Sequence, residues 1–185
     1  MLYIISGTSR SGKTIIAKKM MQICDIPFVS LDWLIMGFTN GIPEYGIHDK
    51  LWPDEIAEKF WNFLKALCEN MIWTETDYIL EGEAVLPELI NELLIKYPDS
   101  IKICFVGYPS ADFKEKVKDV YEYSYGEKDW LTKEPKDYVE SHISNMITYS
   151  KRIEKDCKTY DIPYFDTSKN FMKVLDTAVA YLLRK

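Results

Sequence analysis

Short apolar runs alternate along the chain with longer stretches in which apolar residues recur every three or four positions. Residues 2–6 (LYIIS), 28–31, 78–80 (YIL), 101–106 (IKICFV) and 164–165 are brief and rich in β-branched and aromatic residues, which predicts five strands. Residues 13–24, 53–73, 86–97, 112–123, 136–160 and 170–183 carry the longer period and are read as helices. The clearest is 53–73, where Ile56, Phe60, Phe63, Leu64 and Leu67 mark one face and Pro53 suits the first turn. Pro98 ends the helix before it. Strands alternating with helices imply right-handed crossovers and a parallel sheet covered on both faces. In such sheets ligands bind outside the carboxyl ends of the strands.

Two stretches break the alternation. Residues 37–52 (GFTNGIPEYGIHDKLW) hold three glycines and several aromatics with no helical period, and residues 124–135 (SYGEKDWLTKEP) are irregular and polar. Loops of this length within a compact domain are commonly functional. With no repeat, low-complexity tract or linker, residues 1–185 read as one domain carrying a cap insertion at about 37–52 and a lid-like insertion at about 124–135.

Composition narrows the classes. Apolar residues make up 47% and charged residues 28%, a globular balance. Net charge is −6 and the basic residues are dispersed, which argues against a nucleic-acid surface and leaves room for one nucleotide held by local amides and a lysine. No apolar run approaches a membrane span and no basic leader precedes the first strand, so a cytoplasmic location is expected. Cys24, Cys68, Cys104 and Cys157 are widely spaced within predicted helices and a strand, the pattern of buried thiols in a reducing compartment.

The strongest chemical signal is Gly7-Thr8-Ser9-Arg10-Ser11-Gly12-Lys13-Thr14, a full match to G-x-x-x-x-G-K-[ST] between a strand and a helix. The glycines let the backbone curl so that its N–H groups face a phosphate, and the following helix adds its positive end. Lys13 would reach the β and γ oxygens, and the Thr14 hydroxyl would ligate Mg²⁺. Arg10 could touch phosphate or stay solvated. The chain therefore reads as a nucleoside-triphosphate binder. D-x-x-G and N-K-x-D occur nowhere, which sets regulatory GTPases aside.

GTSRSGKT near the N-terminus, an acid just after the second strand (SLDWL) and a DTS before the last helix resemble the P-loop nucleotide and small-metabolite kinases. That group includes adenylate, shikimate and gluconate kinases and chloramphenicol phosphotransferase. The resemblance implies a three-layer α/β P-loop fold, a five-stranded parallel sheet of order 2-3-1-4-5 with helices on both faces, and use of ATP with Mg²⁺. Asp32 matches the position of an acid near the acceptor hydroxyl and the metal, where it would act as base or hold a metal-bound water. Arg152 matches a phosphate- or substrate-binding arginine after the lid, and Thr167 and Ser168 match the loop that packs on adenine. Ser168 could equally cap the last helix. The chain departs from the pattern in having no arginine between 124 and 135.

Glu81 follows the run YIL in the layout of a Walker-B-type acid, which could bind Mg²⁺ through water, and Glu83 could share that work. Trp33, Phe38, Tyr45, His48 and Trp52 cluster after Asp32 and suit a small organic acceptor under a mobile cap. The reading is an ATP-dependent phosphotransferase acting on a hydroxyl, or a phosphate, of a small molecule. The alternatives are a nucleotide hydrolase and a nucleotide-binding switch or module working through a protein partner.

Overall fold

A computed structural model describes residues 1–184. Five strands, β1 (Leu2–Gly7), β2 (Phe28–Ser30), β3 (Tyr78–Gly82), β4 (Ile101–Gly107) and β5 (Tyr164–Asp166), form one sheet in the order β2-β3-β1-β4-β5. Every pairing is parallel. Among the described residues seven α-helices surround the sheet: α1 (Lys13–Cys24), α2 (Leu31–Gly41), α3 (Pro53–Trp73), α4 (Pro87–Lys96), α5 (Phe113–Glu122), α6 (Lys136–Thr159) and α7 (Phe171–Leu183). Strand order follows the expectation from sequence, but α2 does not: Leu31, expected in the second strand, opens a helix that was not expected.

Alternation along the strands sorts the core into two layers. In β4, Ile101, Ile103 and Phe105 face the helices α3, α4 and α6, while Cys104 and Val106 face α1 and α7. In β1, Leu2 and Ile4 join the first layer and Ile5 the second. Strands buried on both sides must be apolar at nearly every position, which is why IKICFV carries no period-two polar pattern. A third cluster joins α5 to α6 through Val117, Val120, Val139 and Ile143, and Leu131 of the 124–135 segment is fully buried in it.

Two sequence expectations are corrected here. Residues 37–41 are not irregular; they continue α2, and Gly37 and Gly41 sit where a side chain would meet nothing. Segment 124–135 is less loose than its composition suggests, because two 3₁₀ turns (Gly126–Lys128 and Leu131–Lys133) pack Leu131 into the α5–α6 core. Among the described residues no helix is long and apolar enough to cross a membrane. All four cysteines are free; Cys68, Cys104 and Cys157 are buried and Cys24 half-buried.

Candidate active site

The site lies at the carboxyl ends of the strands, where register aligns Ser6 with Gly82, Gly7 with Val106 and Ser30 with Glu81. The loop from Gly7 to Thr14 is shaped by backbone that few residues adopt. Gly7 and Gly12 have φ of 130° and 101°, and Arg10, a non-glycine residue, has φ of 61°. At Gly7 a Cβ would lie 1.8 Å from the Val106 carbonyl oxygen, so only glycine lets β1 run this close to β4 as it enters the loop. Thr8 N–H donates to Val106 O at 3.1 Å, and the Ser11 hydroxyl donates to Thr8 O at 2.7 Å. The loop is thereby pre-curled around a concave surface before α1 begins.

Lys13 is buried, and its Nζ donates to Thr8 O at 2.7 Å and to Glu83 Oε1 at 3.4 Å. The Thr14 hydroxyl donates to Glu81 Oε2 at 3.2 Å. Burial pushes the carboxyl of Glu81 upward against the opposing pull of Lys13 and of the Ser30 and Thr14 hydroxyls, and Asp32 adds to the rise. Glu83 is raised in the same way, with Lys13 opposing and Asp32 contributing. Two carboxylates thus meet one lysine and one hydroxyl, Glu83 at Lys13 and Glu81 at Thr14, and the charge of Asp32 acts on both. Partly desolvated acids crowded together are stabilised by a cation placed among them. Asp32 itself stands exposed in the first turn of α2.

The residues present fit MgATP. Among the described residues no group of three or more His, Cys, Asp or Glu side chains forms a metal cage by itself. Mg²⁺ characteristically takes one or two carboxylates, with phosphate oxygens and water completing its shell, and Glu81 beside Thr14 offers that donor set.

Other residues singled out in the sequence are placed differently. Arg10 is neither solvated nor free. Its guanidinium forks onto Asp129, with NH1 donating to Oδ2 at 2.9 Å and NH2 donating to Oδ1. Arg152 is held by carboxylates at Asp54 (2.7 Å), Asp156 (3.6 Å) and Glu88 (3.8 Å), so its charge is already balanced. Thr167 gives its hydroxyl to Gly107 O at 3.0 Å, and its N–H donates to the same oxygen at 2.7 Å. Ser168 does not cap α7, whose N-cap is Asn170; its hydroxyl donates to Asp166 and accepts from Ser110 N–H at 3.0 Å. Thr167 and Ser168 therefore brace the loop after β5 against β4.

An open cleft of about 470 Å³ between the start of α3 and α6 is lined by Trp52, Asp54, Glu55, Asn145, Thr148, Tyr149 and Arg152. Burial raises the Tyr149 phenol, and the charges of Asp54 and Glu83 add to the rise. Of the aromatics after Asp32, Trp52 lines this cleft, Trp33 is exposed, and Phe38 packs on Tyr45, Phe60 and Phe63. His48 is exposed.

Sequence reading missed two supports. Ser150, fully buried on α6, shares a 2.9 Å hydrogen bond with the Thr8 hydroxyl, while its Oγ accepts from Tyr108 N–H at 3.1 Å. Asp129 has a side chain wholly out of solvent. A serine in mid-helix gives no sequence signal, and Asp129 sits in a stretch whose polarity suggests exposure.

No protein-family model matches the chain, and no curated protein is similar to it in sequence. Solved structures are similar in fold. A gluconokinase from Sinorhizobium meliloti superposes with a TM-score of 0.56 at 16% identity, over 97% of this chain and 90% of its own. A shikimate kinase from Bacteroides thetaiotaomicron gives 0.57 at 15% identity, over 97% and 94%. A sugar kinase from Janibacter sp. gives 0.56 at 19% identity, over 98% and 93%. Strand order, the phosphate-binding loop and these superpositions together give the chain the fold of the P-loop small-metabolite kinases.

Proposed function

We propose that the protein is an ATP-dependent phosphotransferase that moves the γ-phosphoryl group to a hydroxyl of a small molecule. The observation that carries this reading is the meeting of Lys13 with Glu83 and of Thr14 with Glu81 at the carboxyl end of the sheet, where the charge of Asp32 also acts. The kinase-like fold and the cleft at Trp52 and Tyr149 support it.

The loop N–H groups and the amino end of α1 bind the phosphates, and Lys13 leaves Thr8 O to reach the β and γ oxygens. Thr14 and Glu81 would hold Mg²⁺, which when bound would neutralise charge on the phosphates. The acceptor lies with its hydroxyl aimed at the γ-phosphorus and within reach of Asp32. Its oxygen bonds to phosphorus as the bond to the β,γ-bridging oxygen breaks; ADP leaves with that electron pair, and Asp32 accepts the hydroxyl proton. Segment 124–135 is the lid, and with segment 37–52 it keeps water from competing as acceptor.

Asp32→Asn tests the assignment. With a pooled metabolite extract as acceptor, the variant is expected to bind ATP like the wild type and to lose transfer by roughly 10²–10⁴-fold. Transfer retained at the wild-type rate removes Asp32 from the mechanism.

A further inference from the structure

The lid of this chain has no arginine, yet one of its carboxylates is buried against an arginine of the phosphate loop. Arg10 and Asp129 are 119 positions apart and meet through both terminal guanidinium nitrogens and both carboxylate oxygens. Asp129 is also anchored from its own segment. Its Oδ1 accepts from Leu131 N–H at 3.1 Å and Thr132 N–H at 3.3 Å, and its Oδ2 from Tyr125 N–H at 3.3 Å. A carboxylate so fully bonded is a fixed abutment. Arg10 is fixed from the other side, since its backbone is left-handed and its carbonyl accepts from Lys116 Nζ at 3.0 Å. Lys116 in turn lies 4.2 Å above the Tyr108 ring.

A guanidinium has five N–H donors, and the fork uses two. The three that remain lie on a side chain that keeps 18% of its surface exposed. Arg10 belongs to the loop that curls around phosphate, three positions before Lys13. The chain has two other arginines: Arg152 is held by three carboxylates on its own side of the cleft, and Arg184 lies at the end of α7.

Resting on the phosphotransferase reading, we infer that Asp129 is a positioning residue that holds Arg10 with its free N–H edge toward the phosphoryl group in flight. Arg10 thereby supplies, from the phosphate loop, the charge neutralisation of transfer. Docking of the lid and placement of the arginine are then one event, because the carboxylate that aims Arg10 is carried by the lid. Fixed donors aimed at charge that develops during reaction stabilise the transition state more than the ground state.

The test uses MgADP with and without aluminium fluoride, a mimic of the phosphoryl group in flight, and reads binding by the fluorescence of Trp130, the neighbour of Asp129. It needs no acceptor, so its outcome is independent of whether the protein proves to be a kinase. Arg10→Ala, Arg10→Lys and Asp129→Asn are compared with wild type, each checked for cooperative thermal unfolding. Wild type is expected to bind MgADP at least tenfold tighter with aluminium fluoride. Asp129→Asn should bind MgADP alone within about threefold of wild type, and all three variants should lose the gain from aluminium fluoride, Arg10→Lys included because lysine keeps the charge without the fork. ATP turnover should fall in kcat with little change in KM, and Arg10→Ala combined with Asp129→Asn should be no worse than either alone. Aluminium fluoride capture intact in Asp129→Asn but lost in Arg10→Ala would remove Asp129 from the assignment. Capture intact in both, or absent from the wild type, would reduce the pair to a structural clasp.

Discussion

The hydroxyl of Thr14 donates to the buried carboxylate of Glu81 across 3.2 Å, joining the first turn of α1 to the end of β3. Without a cation the pair is a compromise. Burial raises the Glu81 carboxyl, so the fold is relieved of a penalty when that group is protonated and bears it when pH rises past the ordinary carboxylate range. Glu81→Gln is therefore expected to raise the melting temperature of the nucleotide-free protein at pH 7. The gain should vanish below about pH 4, where the unfolded carboxyl is protonated too. The same change should weaken Mg²⁺-dependent turnover by roughly 10–100-fold. Thermal melts across pH, and turnover against Mg²⁺ concentration, check both halves.

Asp129 behaves in the opposite sense. Burial alone would raise it, but the Arg10 fork and the N–H groups of Thr132 and Tyr125 outweigh that and bring it down to about 2. Its contribution is fully present above the unfolded value near 4 and is lost as pH falls toward 2. Asp129→Asn should cost about 2 kcal/mol at pH 7, on the order of 5 °C in Tm. The difference between variant and wild type should close between about pH 4 and pH 2, which denaturation by urea at several pH values measures.

Ser150 is a hub under the loop, bonded at once to the Thr8 hydroxyl and the Tyr108 N–H. Ser150→Ala leaves both buried partners unpaired, and a loss of about 1–3 kcal/mol is expected. Because Thr8 belongs to the nucleotide cradle, KM for ATP should rise while kcat changes little. A thermal melt and steady-state kinetics test the two effects separately.

Gly7→Ala probes the close approach of β1 to β4. The added methyl would stand 1.8 Å from Val106 O at a φ of 130°, so the strands must separate or the loop must refold. A destabilisation above about 3 kcal/mol is expected, with loss of ATP binding even in whatever fraction stays soluble. Soluble yield and ATP titration give the answer.

The sheet and the phosphate loop were legible because their signals are local. Strands buried on both sides are apolar runs, and the loop is a contiguous string whose glycines answer to backbone geometry. The order of the strands came from the resemblance that string supports. Glu81 was legible for the same reason, standing at the end of YIL. The Arg10–Asp129 pair was not, because 119 positions separate its members and nothing local distinguishes a buried aspartate from a solvated one in GEKDWLTK. Helix α2 was hidden by Gly37 and Gly41 in its second half, whose low helix propensity is overridden once Leu31 and Ile35 are buried. Arg152 was visible as a residue but not as one already surrounded by Asp54, Glu88 and Asp156, since two of those acids come from other helices.

The central claim is transfer of the γ-phosphoryl group, and its most direct measurement follows that group. The protein is incubated with Mg²⁺, ATP labelled at the γ-phosphate and a pooled extract of cell metabolites, beside a Lys13→Ala control. A new labelled small molecule that is absent from the control is the predicted result, and it identifies the acceptor. Label recovered only as inorganic phosphate, or remaining on ATP, would contradict the account.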